Sequence, residues 1–214
     1  VQTTMSVAIL LFDRVTALDA VGPYEVLSRL PGSRVTFAGE RLGPVRTDTG
    51  HLALHVDATL KDVETADVLV IPGGIGQQAH MAAGAVHDWV RHLDTTTTWT
   101  TSVCTGSLIL AAAGLLRDRS ATSHWMRRGD LAHYGATPTD MRVVFDGKYV
   151  TAAGVSAGID MALTLADKIA GCRATEAIQC GIEYDPHPPY DAGHPDKVDP
   201  GIVAGLQTLK NVLF

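Results

Sequence analysis

Two hydrophobic patterns alternate along this chain. Short unbroken apolar runs, Ser6 to Phe12 (SVAILLF) and Val68 to Ile71 (VLVI), suit strands covered on both faces. Between them lie stretches with apolar residues every three or four positions, which suit helices with one buried face. In Ala17 to Leu30, Leu18, Val26, Leu27 and Leu30 supply that face, and Pro23 is tolerable near a helix start or at a kink. Arg34 to Ala38 reads as a strand, and Val45 to Asp48 with Leu52 to Val56 as a hairpin across Thr49-Gly50. Val86 to Leu93 is an amphipathic helix. Trp99 to Val103 is a covered strand, and Leu108 to Leu116 carries helical spacing. Ala121 to Trp125 reads as a short strand ending in a histidine, and Leu131 to Tyr134 as a helix stopped by Gly135. Met141 to Phe145 and Tyr149 to Thr151 form a hairpin on Asp146-Gly147. Ala157 to Ala170, Ala174 to Ile182 and Ile202 to Leu213 are helical. Asp185 to Pro200, rich in Pro, His and Asp, lies outside regular structure and is placed to wrap over a surface or site.

Strands alternating with helices predict an α/β sandwich around a mostly parallel sheet. At 214 residues the simplest organisation is one domain over residues 1–214 with a substantial core. The formal charge of −6 leaves no basic footprint for nucleic acid, and no apolar run approaches the roughly 18 residues of a membrane span. Val1 to Met5 lacks a basic segment followed by a long apolar one, so no leader is expected there. Three cysteines, Cys104, Cys172 and Cys180, make no disulfide framework and no zinc-type pair, which fits a reducing cytoplasm.

The candidate chemistry falls just after predicted strands. Trp99 to Val103 stops at Cys104, and Thr105-Gly106-Ser107 leads at once into the next helix. Gly106 offers backbone freedom and Ser107 a capping oxygen. A cysteine at that junction meets unpaired N–H groups and the positive end of a helix, which favour a thiolate. The arrangement has the form of a nucleophile elbow with sulfur in place of oxygen. By residue type alone a free cysteine is usually a small buried hydrophobe; the surrounding strand and helix are what point to chemistry. Asp19 follows the first strand, where an ordinary aspartate caps a helix. Pro72-Gly73-Gly74-Ile75-Gly76 follows Ile71, and glycines there let N–H groups approach a ligand closely. That loop lacks the Gly-Lys-Ser/Thr of a P-loop and does not follow the first strand, as a dinucleotide fingerprint would. Asp19, Gly73, Gly74, Cys104 and His124 therefore converge beyond the carboxyl ends of strands, where open α/β sheets bind ligands.

Ile71-Pro72-Gly73-Gly74, Ser102-Val103-Cys104-Thr105-Gly106 and Ala121-Thr122-Ser123-His124-Trp125 resemble the ThiJ/PfpI branch of the class I glutamine amidotransferase-like superfamily. Leu18 to Pro23, Thr101 to Ser107, Ala157 to Leu163 and Glu183 to Pro186 are similar, more narrowly, to isonitrile hydratases. Other branches differ at marked positions. Glutaminases carry an acid where Met126 stands, peptidase-like members a histidine where Thr105 stands, and chaperone or glyoxalase-like members a glutamate where Asp19 stands.

The resemblance implies a flavodoxin-like three-layer sandwich that hydrates an isonitrile to an N-substituted formamide. Cys104 would attack the terminal carbon to give a thioimidate, with Asp19 as acid and then base. Thr105 would position water or Asp19, or simply cap its helix. Backbone N–H groups near Gly74 and Thr105 would steady developing charge. Gly73, Gly74 and His124 would border the substrate, with His124 a bystander to proton transfer because its relay acid is missing. It further implies no cofactor, no metal, a homodimer and a small isonitrile substrate. Two other readings stay open on the residues: a small-aldehyde enzyme, and a redox or electrophile sensor using Cys104.

Overall fold

The computed structural model describes residues 4–213. In chain order its elements are β1 (Met5–Leu10), α1 (Ala17–Leu27), β2 (Ser33–Gly39), β3 (Gly43–Arg46), β4 (Ala53–Val56), β5 (Ala58–Thr59), β6 (Val68–Ile71), α2 (Ala85–Asp94) and β7 (Trp99–Val103). Then follow α3 (Gly106–Ala112), β8 (Ser120–Ala121), β9 (Thr137–Pro138), β10 (Val143–Asp146), β11 (Tyr149–Ala152), α4 (Ala157–Ala170), α5 (Cys172–Gly181), α6 (Pro200–Thr208) and α7 (Lys210–Leu213).

Among the described residues the central sheet has seven strands, in the order β10-β11-β7-β6-β1-β2-β5. Every neighbouring pair is parallel except β10 with β11. Strand β1 sits between β2 and β6, which is the flavodoxin-like arrangement, and the chain reverses direction across the sheet between β1 and β6. The unbroken apolar runs are unbroken because both faces are covered: Val68 to Ile71 and Val7 to Leu11 are buried throughout. α1 packs on α4 and α2 on α3. At the amino-terminal end of β7, the Asp94 carboxylate gathers Thr100 Oγ1 at 2.6 Å, Tyr149 Oη at 3.0 Å and Lys148 Nζ at 3.0 Å. That network ties β7 to β11 at the end away from the site.

Several elements differ from their sequence patterns, each for a local reason. Residues 122–125 are not strand. Thr122 N–H goes to Thr151 Oγ1 (2.9 Å) and Ser123 Oγ to the Cys104 carbonyl (2.9 Å), so side chains replace ladder partners. Only Ser120–Ala121 pairs, with β9, outside the main sheet. The helix expected to Leu116 ends at Ala112, because Gly114 turns left-handed at φ 87°. Leu131 to Tyr134 belongs to a 3₁₀ helix, Arg128–Tyr134. The closing helix breaks at Leu209 into α6 and α7. Leu18, expected in the core, is 39% exposed.

Gly106 is the tightest of the contacts that shape the elbow. A Cβ there would overlap the Ile71 carbonyl oxygen and lie 2.7 Å from that of Pro72, both backbone atoms that cannot rotate away. Gly106→Ala is therefore expected to destabilise the protein by about 3 kcal/mol or more, the upper range for single substitutions, as read by urea unfolding. An unfolding midpoint equal to that of the parent would contradict this packing.

Candidate active site

Between β7 and α3, Cys104 takes a left-handed backbone, φ 57°. Such a conformation in a residue with a Cβ persists only where surroundings hold it. Here its N–H donates to the carbonyls of Ala152 (3.1 Å) and Ala153 (2.9 Å). Its own carbonyl accepts Ser123 Oγ (2.9 Å) and Ser107 Oγ (3.2 Å). The backbone N–H groups of Val155 and Thr105 point at the sulfur. Val155 is itself strained, at φ 33° on a β-branched residue, immediately before α4.

Asp19, in the first turn of α1, is 0% exposed, as is Cys104. Its Oδ2 accepts the Gly73 N–H at 2.9 Å. Its Oδ1 is buried without a well-formed hydrogen bond, and the carboxyl interacts with the Cys104 thiol. Burial pushes Asp19 up to about 7, against the opposing pull of the Gly73 N–H and the thiol, with Asp48 adding to the rise. Burial first, and then the Asp19 charge, pushes the Cys104 thiol well above its ordinary range despite the Val155 and Thr105 N–H groups. The helix-end donors that the sequence suggests are in place, but burial outweighs them. The two groups form one coupled unit that holds a proton near neutrality.

The glycine loop serves this pair rather than offering free donors. The Gly73 N–H is taken by Asp19 and the Gly74 N–H by Thr105 Oγ1, 3.0 Å away. Thr105 makes no capping bond to its helix; its hydroxyl ties the loop to the elbow. A Cβ at Gly73 would come within 2.5 Å of Thr105 N and Oγ1, and Gly74 takes φ 123°, which explains both glycines.

His124 is buried against Gly154, where an added Cβ would lie 2.5 Å from its Cδ2. Its Nδ1 accepts the Met126 N–H at 3.3 Å, and burial lowers its pKa to about 4, so the ring is neutral at physiological pH. A cleft of about 580 Å³ opens over Ser123, His124, Gly154 and Val155, with Met141 and Arg142 on its walls. Ser123 and Val155 touch Cys104, so the cleft ends against the elbow. Gly154 and Val155 carry no motif in the sequence, and Ser123 is marked only within the motif around His124. The signal for Gly154 and Val155 is their place just after the strand that ends at Ala152. A second hollow of about 530 Å³, around Phe12, Arg14, Glu40 and His80, holds none of these groups.

The match to the DJ-1/PfpI family model covers residues 5–168. The chain belongs to the DJ-1/PfpI family. Among its DJ-1/PfpI relatives, isonitrile hydratase from Pseudomonas putida is 41% identical over 199 residues, spanning 93% of this chain and 87% of that protein. A ThiJ/PfpI family protein from Pseudomonas syringae superposes with a TM-score of 0.94 at 34% identity, covering 99% of this chain and 90% of the other. Drosophila melanogaster DJ-1beta, at 24% identity and a TM-score of 0.76, covers 85% of this chain and 98% of its own and shares the fold.

Asp140, His194 and Asp196 bring metal-ligating atoms within 4.8 Å of one another at the rim of the cleft. His194 faces Asp140 with Nε2 (3.4 Å) and Asp196 with Nδ1 (3.6 Å), opposite edges of one ring, and Arg128 is ion-paired with Asp140. This is the geometry of an anchor for the segment after Asp185, not of three ligands turned on one centre.

Two outcomes follow from the buried pair. The folded protein keeps the Asp19 proton up to about pH 7, whereas the unfolded chain loses it near 3.8. Stability on this account falls as pH rises through that window and stays lost above it. Asp19→Asn keeps the Gly73 bond without the charge, so it should be more stable than the parent at pH 8 by a few kcal/mol, with the gap closing towards pH 4, in thermal unfolding at several pH values. A gap independent of pH would refute the assignment. The same substitution removes the charge that raises the thiol, so iodoacetamide should modify Cys104 from a lower pH onward; an unchanged or higher onset would show that the two groups are not coupled.

Proposed function

We propose that this chain hydrates isonitriles to N-substituted formamides, with Cys104 as nucleophile and Asp19 as proton carrier. The relationship to a hydratase at 41% identity over 93% of the chain is the observation that carries the reading. The coupled carboxyl and thiol supply what the reaction needs. An isonitrile carbon carries a lone pair and must gain both a nucleophile and a proton.

The thiol proton passes to the Asp19 carboxylate as sulfur bonds to the isonitrile carbon, and Asp19 returns it to that carbon. The product is a thioimidate, R–N=CH–S. Asp19, again a carboxylate, takes a proton from water as the hydroxide adds to the same carbon, and delivers it to nitrogen. Collapse breaks the C–S bond, and the departing sulfur takes back a proton from the hydroxyl by way of Asp19 as the formamide carbonyl forms. Atoms and electrons balance without a redox cofactor.

The Val155 and Thr105 N–H groups support the sulfur while it is charged. Gly73 holds Asp19 in place, Gly74 and Thr105 lock the loop to the elbow, and His124 walls the substrate cleft. The substrate side chain occupies that cleft, where Ser123 and Val155 adjoin Cys104.

We place this activity in one domain, in a cytoplasmic homodimer. Cys104, Cys172 and Cys180 are free thiols, and no helix among the described residues is long and apolar enough to cross a membrane. Ile202, Leu206, Leu209 and Val212 leave one exposed apolar stripe along α6 and α7.

The test is product formation from cyclohexyl and para-substituted phenyl isonitriles. Wild type should release formamide with turnover, rising with pH through about 7 as the pair drops to one proton. Cys104→Ala should be inactive, and Asp19→Asn should lose roughly 10²-fold or more in kcat. No formamide from folded wild type with Cys104 reduced would overturn the reading and redirect attention to aldehydes and to peroxide sensitivity.

A further inference from the structure

The hairpin of β3 and β4 is outside the main sheet, yet its turn is fastened to the segment leading into α1. The Arg14 N–H donates to the Arg46 carbonyl (2.6 Å) and the Asp48 N–H to that of Val15 (3.0 Å). Thr16 Oγ1 donates to Asp48 Oδ2 at 2.6 Å, while Asp48 Oδ1 accepts the Thr49 N–H at 2.8 Å. Thr16 is in turn part of a closed ring. Its N–H reaches the Gly73 carbonyl (2.9 Å), its carbonyl accepts the Asp19 N–H (3.1 Å), and the Gly73 N–H returns to Asp19 Oδ2 (2.9 Å).

We propose that Asp48 is a positioning residue for the reaction: through Thr16 it fixes the Thr16–Gly73–Asp19 ring, and its negative charge strengthens the hold of Asp19 on the proton it takes from Cys104 as the sulfur attacks. The catalytic consequence rests on the hydratase reading above; the hold on Asp19 does not. An uncharged side chain could anchor the hairpin to Thr16 equally well. A carboxylate placed there is costly beside a buried acid unless that acid stays protonated. The charged or titratable groups that act on Asp19 are the Cys104 thiol, from the elbow, and Asp48, from the hairpin; Gly73 meets it with backbone only. Once that proton has passed to Asp19 the sulfur is the thiolate, the form that attacks carbon.

Asp48→Asn retains an oxygen for Thr16 and removes the charge. Thr16→Val removes the bond and retains the charge. In a Cys104→Ser background, ¹³C NMR of the Asp19 carboxyl follows its titration without any need for turnover. Asp48→Asn should move that midpoint to lower pH. In the active enzyme it should slide the acid limb of the kcat/KM profile to lower pH and cut the plateau kcat by roughly three- to tenfold, as proton balance moves towards sulfur. Thr16→Val should lower kcat and leave the limb nearer its original place. A purely structural role would depress the rate at every pH without displacing the limb, and that result overturns the proposal. So does an Asp19 midpoint in Asp48→Asn that coincides with the parent. If no isonitrile is turned over, the hydratase reading falls while the NMR titration still decides whether Asp48 governs Asp19.

Discussion

A carboxyl and a thiol buried side by side hold a single negative charge far more readily than two. Asp19 and Cys104 are both wholly inaccessible to solvent, so water cannot spread that charge. Their surroundings are arranged around this restriction. Gly73 gives an N–H to the carboxyl, Val155 and Thr105 give theirs to the sulfur, and no donor is duplicated. Close approach is what makes this possible. At Gly73 and Gly106 backbone passes against backbone at distances that admit no side chain, so the β6 loop and the α3 start bring their N–H groups to the pair.

The same closeness accounts for the strain. Cys104 and Val155 both take positive φ, and a β-branched residue there is unfavourable by about 1–3 kcal/mol. The cost is met by ordinary structure nearby. β7 and β11 run in register up to Val103 and Ala152, and the Cys104 N–H then closes on the carbonyls just beyond. The strained residues are thus continuations of a parallel pair of strands, held by the core beneath them.

Much of this was legible in the chain. Unbroken apolar runs mark β1 and β6, and the rule that ligands bind beyond strand ends brings Asp19, Gly73 and Cys104 together from sequence alone. The expected strand at residues 121–125 failed because Thr122 and Ser123 bond through side chains to Thr151 and Cys104, contacts that no alternation pattern encodes. Asp48 was hidden for a similar reason. Val45 to Asp48 reads as one strand of a hairpin across Thr49-Gly50, and only the docking of that hairpin on Thr16 gives the carboxylate a place near Asp19. The family resemblance supplied a reaction; it did not supply this contact.

The largest departure from the sequence concerns the state of the sulfur. An elbow at a helix start suggests a thiolate, and each charge-assisted N–H bond contributes about 1.5–3 kcal/mol towards one. Desolvating an ion costs several kcal/mol even after relaxation, so two such bonds do not offset full burial. The thiol therefore stays protonated until its proton has somewhere to go, and the adjacent carboxyl is placed to accept it. On this balance the elbow determines where the sulfur lies, while Asp19 determines when it is charged. Substrates that need a proton as they accept sulfur discharge such a pair in the same step. An isonitrile carbon meets that condition.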